Sequence, residues 1–256
     1  MNEKNGAKTD LIVGRNAVLE ALQSGRAIDS VMVARGDRTG SIGKILRLCR
    51  EKEIVVKEVD EKKLSYSCGH SNHQGVAAFA AVHEYATVED MFALAESRGE
   101  QPFLIVCDEL EDPHNLGAIL RSAEAAGAHG VIIPKRRSAS LSYAVAKTSA
   151  GAVEYVPVAR VPNIPSLLEE LKARGVWIYA ADMGGSLWCD TDFSGAVALV
   201  IGSEGRGVGR LVHEHCDFTV SLPMCGKINS LNASVAAGIL MFEVTKQRMK
   251  NGGTGN

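Results

Sequence analysis

"FLIVCDELEDPHNLGAILRSAEAAGAHGVIIP", residues 103–134, decides the fold. Five apolar residues run unbroken from Phe103 to Cys107, the pattern of a strand buried on both faces. A polar turn follows, then an amphipathic helix, and from Gly130 a second apolar run. Strand, helix and strand in so short a span form a parallel unit, since parallel strands need a crossover and a helix supplies it. The pattern continues downstream. "SYAVAKTSAGA" reads as a helix, "YVPVA" as a strand, "SLLEELKARG" as a helix, and "VWIYAAD" and "AVALVIG" as strands. "RLVHEHC" is a helix, "DFTVSLP" a strand, and the chain closes on a long helix from about Asn232 to Met249. The expected class is α/β, with a mostly parallel sheet over residues 102–256.

Upstream lies a smaller alternation. "NAVLEALQSG" reads as a helix with Asn16 as its cap and Gly25 past its end. "DSVMVA", "IVVKEV" and "GVAAFAAV" are strands, and "IGKILRLCREK" is a helix with Ile42, Ile45, Leu46 and Cys49 on one face; "EKKLSYS" makes a helical turn. Residues 1–83 therefore form a small α/β domain, and 84–101, with an acidic helix, bridge to the larger one. The first eight or so residues and "NGGTGN" at 251–256 are polar and expected to be loose.

The totals narrow the function. The chain has 256 residues, 46% hydrophobic and 5% aromatic, enough for an aliphatic core in two domains. A formal charge of −2 gives no strong overall field for nucleic acid. The distribution is uneven: residues 1–83 carry 13 Lys and Arg against 10 Asp and Glu, the remainder 15 against 20. Six cysteines form no CxxC pair, and several sit in apolar runs as buried thiols of a reducing compartment would. No run approaches the 18 or so apolar residues of a membrane span, so a soluble, cytoplasmic protein is expected.

Three polar islands interrupt the apolar sheet, each after a strand, where open parallel sheets bind ligands. They are "DPHNLGAILRSAEAAGA" at 112–128, "IGSEGRGV" at 201–208 and "LPMCGKINSLNASVAAGI" at 222–239. In the first, Asn115 is either a helix cap, with Arg121 a surface residue paired to Glu124, or the two stand at a pocket mouth with Gly117 and Ala118 clearing space. In the second, the GxGxG spacing fails the dinucleotide fingerprint, which argues against a nicotinamide-dependent oxidoreductase. Glu204 is a solvated loop acid or a polar anchor. In the third, Ser230 or Asn229 is an N-cap or a site residue, and Ala233, Ala236, Ala237 and Gly238 allow close packing.

Together, "DPHNLGAILRSAEAAG", "LVIGSEGRGV" and "LPMCGKINSLNASVAAGILMFE" resemble, in order and spacing, the three signature motifs of the SpoU/TrmH family of RNA ribose methyltransferases. The likeness covers about residues 104–248. "VGRNAVLEAL" and "HQGVAA" in the first domain look like that family's ribosomal-protein-like, RNA substrate-binding domain. The nearest type is the RlmB-type enzyme, which methylates a guanosine ribose in large-subunit (23S) ribosomal RNA. The resemblance implies a deep trefoil knot (SPOUT type), one of the rare exceptions to unknotted chains. It also implies S-adenosylmethionine as cofactor and a homodimer formed through the knotted domain. Cofactor contacts carry over to Gly202, Leu222 and Leu231.

The implied reaction moves a methyl group to a ribose 2′-hydroxyl, a poor nucleophile near neutral pH. The resemblance gives Arg121 the central role, and because arginine stays protonated we favour stabilisation of the forming alkoxide over proton abstraction. Asn115 would orient Arg121 or the ribose, and Glu204, Ser230 and Asn232 would complete the polar wall. For RNA contacts the sequence offers Lys44, Arg47 and Arg50 on one helix, and Lys135, Arg136 and Arg137 after a strand; solvated faces are the plain alternative. Cys68, His70 and His73 lack a fourth ligand at zinc-like spacing, no metal is required by the reaction, and Asp108, Glu109, Glu111 and Asp112 read as solvated acids. Transfer RNA as acceptor, or a non-catalytic RNA-binding assembly factor, are the alternatives.

Overall fold

The computed structural model describes residues 11–36 and 40–251; of the termini expected to be loose, the first eight residues and 252–256 lie outside them, while Asn251 ends the last helix. The chain divides into two compact units, residues 1–84 with 140–143, and 85–139 with 144–256.

In the first unit the order is β1 (Leu11–Val13), α1 (Arg15–Gln23), β2 (Ile28–Ala34), α2 (Ser41–Glu51), β3 (Val55–Val59), α3 (Glu61–Ser67) and β4 (Val76–Ala80). The sheet runs β1-β4-β2-β3, with β4 antiparallel to both neighbours and β2 parallel to β3. Val18 and Leu22 of α1 and Ile42, Ile45 and Cys49 of α2 pack on Val31, Val33, Val76 and Ala78 of the sheet. Burial alone pushes the Cys49 thiol up to about 11. The cap of α1 differs from the sequence reading. Gly14 occupies the position, at φ 97°, and Asn16 lies inside the helix. A positive φ at the entry favours glycine over asparagine.

The second unit comprises α4 (Val88–Arg98), β5 (Phe103–Cys107), α5 (Pro113–Ala125), β6 (Gly130–Pro134), α6 (Tyr143–Thr148), β7 (Val158–Val161) and α7 (Ile164–Ala173), then β8 (Trp177–Leu187), β9 (Val197–Ile201), α8 (Arg210–Glu214), β10 (Phe218–Ser221) and α9 (Ala233–Asn251). All six strands are parallel, in the order β10-β8-β9-β5-β6-β7. Residues of α4, α7 and α8 share one core with Leu104, Val106, Ala198 and Val200. The segment read as a bridge thus has Met91, fully buried, in the core of this unit. Alternation turns Ile105, Leu199 and Cys107, all inaccessible, toward the opposite side, where α5 and α9 pack on each other.

His129, fully buried in the turn between α5 and β6, ties that turn to the start of β5. Its Nδ1 accepts from the Phe103 amide at 2.9 Å and its Nε2 lies 3.0 Å from Glu100 Oε2. With Nδ1 accepting, the ring is neutral and Nε2–H donates. Burial holds its pKa below the ordinary value, with Glu100 opposing. The sign follows from linkage: the unfolded chain binds the proton more readily, so this stabilisation is present above about pH 6.5 and is lost as pH falls below it. Thermal midpoints measured from pH 7.5 down to 5 are expected to fall, and His129→Gln, which keeps neutral donor and acceptor capacity, is expected to flatten that slope. An unchanged slope in the variant would refute the assignment.

Candidate active site

The helix α5 starts on Asp112, whose side chain accepts from the His114 amide at 2.8 Å, with Pro113 in the first turn. Asn115 is therefore not the cap. It sits one turn in, 5% exposed, with its amide aimed away from the helix. Its Nδ2 donates to Glu204 Oε1 at 3.2 Å and its Oδ1 accepts from Asn232 Nδ2 at 2.9 Å. Asn232 Nδ2 also donates to the same Glu204 oxygen. One residue from each polar island thus meets the other two, and Glu204 is a polar anchor and not merely a solvated acid.

Asn232 has a second task. Its Oδ1 accepts from the Ser234 amide at 3.0 Å and hydroxyl at 2.6 Å and from the Val235 amide at 3.3 Å, so it caps α9, the part the sequence had offered to Ser230 or Asn229. Fixing the first turn of α9 and fixing Glu204 are one event.

The 201–208 loop is folded on itself. Ser203 and Gly207 exchange two backbone hydrogen bonds, at 3.1 and 2.9 Å, with Gly205 and Gly207 at positive φ. A Cβ on Gly202 would stand 2.0 Å from the Gly207 carbonyl carbon. Asp108 fastens the far end: it is 6% exposed, and its Oδ2 accepts from the Gly209 amide at 2.8 Å. Burial pushes its carboxyl above the ordinary range, the Gly209 bond opposing. Asp108 is a buried clamp, then, and not the solvated acid of the sequence reading, while Glu109 takes Arg137 at 2.8 Å.

A cavity of about 310 Å³ lies at the carboxyl ends of β9 and β10 and beside the middle of β8, three adjacent strands. Gly202, Leu222 and Leu231 line it, as do Ser230 and Glu204. A second cavity, about 290 Å³, is lined by Asp112, Asn115, Ser203, Glu204 and Arg206 among others. Ser203, Glu204 and Arg206 border both, so the loop forms the partition. Asn232 and Arg121 line neither. The sequence reading passed over Asp182 and Arg206, both on the first cavity; an acid directly after the apolar run "WIYAA" was the signal for the first, and "EGRG", whose two glycines take positive φ, for the second.

Gly117 does not clear space for a ligand. It is buried, and a Cβ there would meet Thr148 Cβ at 2.6 Å and the Val145 carbonyl at 3.0 Å, so it lets α6 close on α5. Arg121 is exposed and, among the described residues, has no hydrogen-bond or ion-pair partner; the pairing with Glu124 is not formed. Of the basic residues, Lys44, Arg47 and Arg50 are exposed on α2, Arg47 reaching Glu51 at 3.4 Å. Arg136 is exposed, Lys135 half-buried. Both ring nitrogens of His73 are engaged, with the Ser65 hydroxyl and the Gly75 amide. No group of three metal-ligating side chains assembles among the described residues.

Residues 102–242 match the model of the SpoU rRNA Methylase family. The chain belongs to the SpoU/TrmH family of RNA methyltransferases. Residues 11–86 match a second model, RNA 2′-O ribose methyltransferase substrate binding. A Bacillus subtilis protein, YacO, named for the TrmH family of tRNA/rRNA methyltransferases, is 48% identical over 93% of this chain and 96% of its own. The crystal structure of the SpoU methyltransferase AviRb from Streptomyces viridochromogenes, in complex with AdoMet, aligns with a TM-score of 0.59 at 25% identity, over 94% of this chain and 90% of its own. A TrmH/SpoU tRNA modifying enzyme of A. aeolicus aligns with a TM-score of 0.54 at 28% identity, over 59% of this chain and 77% of its own.

S-adenosylmethionine is the methyl donor of this enzyme, and the first cavity fits it. Ile201, Val220, Leu222, Leu231 and Leu240 make an apolar slot for a flat base, and Asp182, Asn229 and Ser230 supply polar groups beside it. The missing side chain at Gly202 lets the Gly207–Val208 backbone close against it, and that contact shapes the loop wall of this cavity.

Proposed function

We propose that the enzyme methylates the ribose 2′-hydroxyl of a guanosine in 23S ribosomal RNA, the acceptor implied by the RlmB-type likeness. The observation that carries the ribosomal reading is the match of residues 11–86 to a dedicated substrate-binding model, alongside alignment of the tRNA enzyme to only 59% of the chain. In this reading residues 1–83 are the RNA-binding domain, with Lys44, Arg47 and Arg50 on phosphates, and Lys135, Arg136 and Arg137 contact RNA from the catalytic domain 102–256.

The bound cofactor supplies an electrophilic methyl group in the first cavity. Ser230 and Glu204 order the polar side of that cavity, and Asn115 and Asn232 hold the Glu204 carboxylate where both cavities meet. The ribose enters from the Asn115 side, and Arg121, unclaimed by a carboxylate among the described residues, stabilises the negative charge on the oxygen as its proton passes to water. Holding both reactants at attack distance contributes up to roughly 7–11 kcal/mol in favourable cases.

The apolar stripe Val235, Ile239 and Phe242 on α9, exposed by 50%, 36% and 51%, supports a homodimer through this domain. The trefoil knot belongs to the same reading, supported by the small residues Ala233 and Ala236 where α9 borders the first cavity. Ribosomal RNA as substrate places the reaction in the cytoplasm; among the described residues no helix is long and apolar enough to cross a membrane.

Transfer of labelled methyl to unmodified 23S RNA and to bulk transfer RNA tests the proposal, with the product mapped by resistance to alkaline cleavage. Label at a guanosine of 23S RNA alone is expected. Label on transfer RNA alone would overturn the acceptor while leaving the reaction.

A further inference from the structure

A third cavity, about 720 Å³, opens along β8 and the edge strand β10 and shares no residue with the two cavities of the active site. Alternation places Trp177 and Tyr179 on one face of β8 while Ile178 and Ala180 enter the core. Phe218 of β10 pairs in register with Tyr179, and their rings stack with centroids 5.0 Å apart. Trp177 lies 5.6 Å from Phe218, and Phe193 4.9 Å from Tyr179. The chain has only 2 Trp, 5 Tyr and 6 Phe, so four in one connected cluster is a local concentration. Tyr179 and Phe193 are buried, but Trp177 and Phe218 remain about half exposed at the cavity.

Glycines, serines and threonines make up much of the rest of the wall, and its charged residues are anionic. Asp190, Asp192 and Asp217 line it, and among the described residues no Lys, Arg or His does. Among the described residues their carboxylates accept from neutral donors: the Cys189 thiol, the Ser194 amide and hydroxyl, and the Ile178 amide. None is ion-paired among the described residues; Lys172 acts on Asp217 through space while its ammonium is bound to Glu169. The Tyr179 hydroxyl, which donates to the Asp192 carbonyl at 2.8 Å, is pushed up to about 12 by burial first, then by Asp192 and Asp217. Two carboxylates therefore act on one aromatic ring.

Such a wall repels phosphate, and a purely apolar occupant would leave the carboxylates uncompensated. A guanidinium satisfies both halves: it is weakly hydrated, stacks on aromatic rings and pairs with carboxylates through a planar fork. We propose that this edge cavity docks an arginine side chain carried by a basic segment of a partner protein. The inference does not depend on which RNA is methylated.

In a Trp188→Phe background Trp177 is the only tryptophan, and its fluorescence reports on the cavity directly. Titration with a capped hexa-arginine peptide is expected to give a saturable change. Asp192→Asn with Asp217→Asn, which keeps acceptors for the Ser194 and Ile178 amides, is expected to weaken binding about tenfold or more, a loss of about 1.4 kcal/mol. Thermal midpoint and S-adenosylmethionine binding should stay at parental values. A linear response, or equal weakening by Glu96→Gln with Glu170→Gln outside the cavity, would overturn the proposal. So would the same saturable signal from an RNA oligonucleotide. A spectrum that shifts with protein concentration before peptide is added would assign the cavity to a second copy instead.

Discussion

Arg121→Ala is expected to bind S-adenosylmethionine like the parent and to transfer methyl about 10²–10³ times more slowly, the usual cost of removing one preorganised donor from a developing oxyanion. Binding should survive because Arg121 lines neither cavity of the site. The helix should survive too, since the side chain is exposed and no described residue holds it. In the proposed mechanism this charged side chain, without a carboxylate partner among the described residues, serves the substrate and not stability. Arg121→Lys discriminates further. A lysine keeps the charge and loses the planar fork, so partial recovery speaks for electrostatic stabilisation and recovery to parental rate would show the fork to be dispensable. Calorimetric titration of the cofactor beside single-turnover methyl transfer makes the comparison; parental turnover in Arg121→Ala would remove Arg121 from the mechanism.

Gly202→Ala is expected to act at the other step and to be the more destructive of the two for the cofactor. The added methyl would stand 2.0 Å from the Gly207 carbonyl carbon, 2.1 Å from its oxygen and 2.3 Å from the Val208 nitrogen. All three are backbone atoms, so no rotamer change relieves the overlap; the Ser203–Gly207 clasp must open. Overpacking of this kind costs about 1–3 kcal/mol. Because the loop is the wall between both cavities, its opening should take cofactor binding down by at least about a hundredfold, close to 2.7 kcal/mol. Denaturant midpoints and calorimetry on one preparation separate the two effects. A variant that binds the cofactor normally would show that the clasp is not part of the cofactor site. Glu204→Gln is the milder companion: it removes the charge that Asn115 and Asn232 share but leaves the loop backbone intact.

The sequence by itself determined the layers. Runs such as Phe103–Cys107 and Val197–Ile201, apolar at every position, have no solvated side, so they demand a parallel sheet covered on both faces. The same runs show where each strand stops and a polar island begins. The family motifs that those islands resemble named Asn115, Glu204 and Asn232 together, along with Arg121 and Ser230. They were not enough to say what the three do to one another. The bonds from Asn115 to Glu204 and Asn232 span 89 and 117 residues, and no periodicity or propensity encodes a contact of that range.

Only the tertiary structure decided the rest. It gave Gly117 to packing against Thr148, because a helix contact of that closeness depends on which helix arrives, and the sequence around Gly117 says nothing of α6. It turned Asp108 inward as a clamp, because a strand-end acid is solvated or buried according to the loop laid over it. It left Arg121 without a partner among the described residues, although Glu124, one turn away, was as available a partner as local sequence can offer. And it gathered Trp177, Tyr179, Phe193 and Phe218 on one sheet edge beside three aspartates, through the register of β8 with β10, a pairing set by the order of strands in space rather than along the chain.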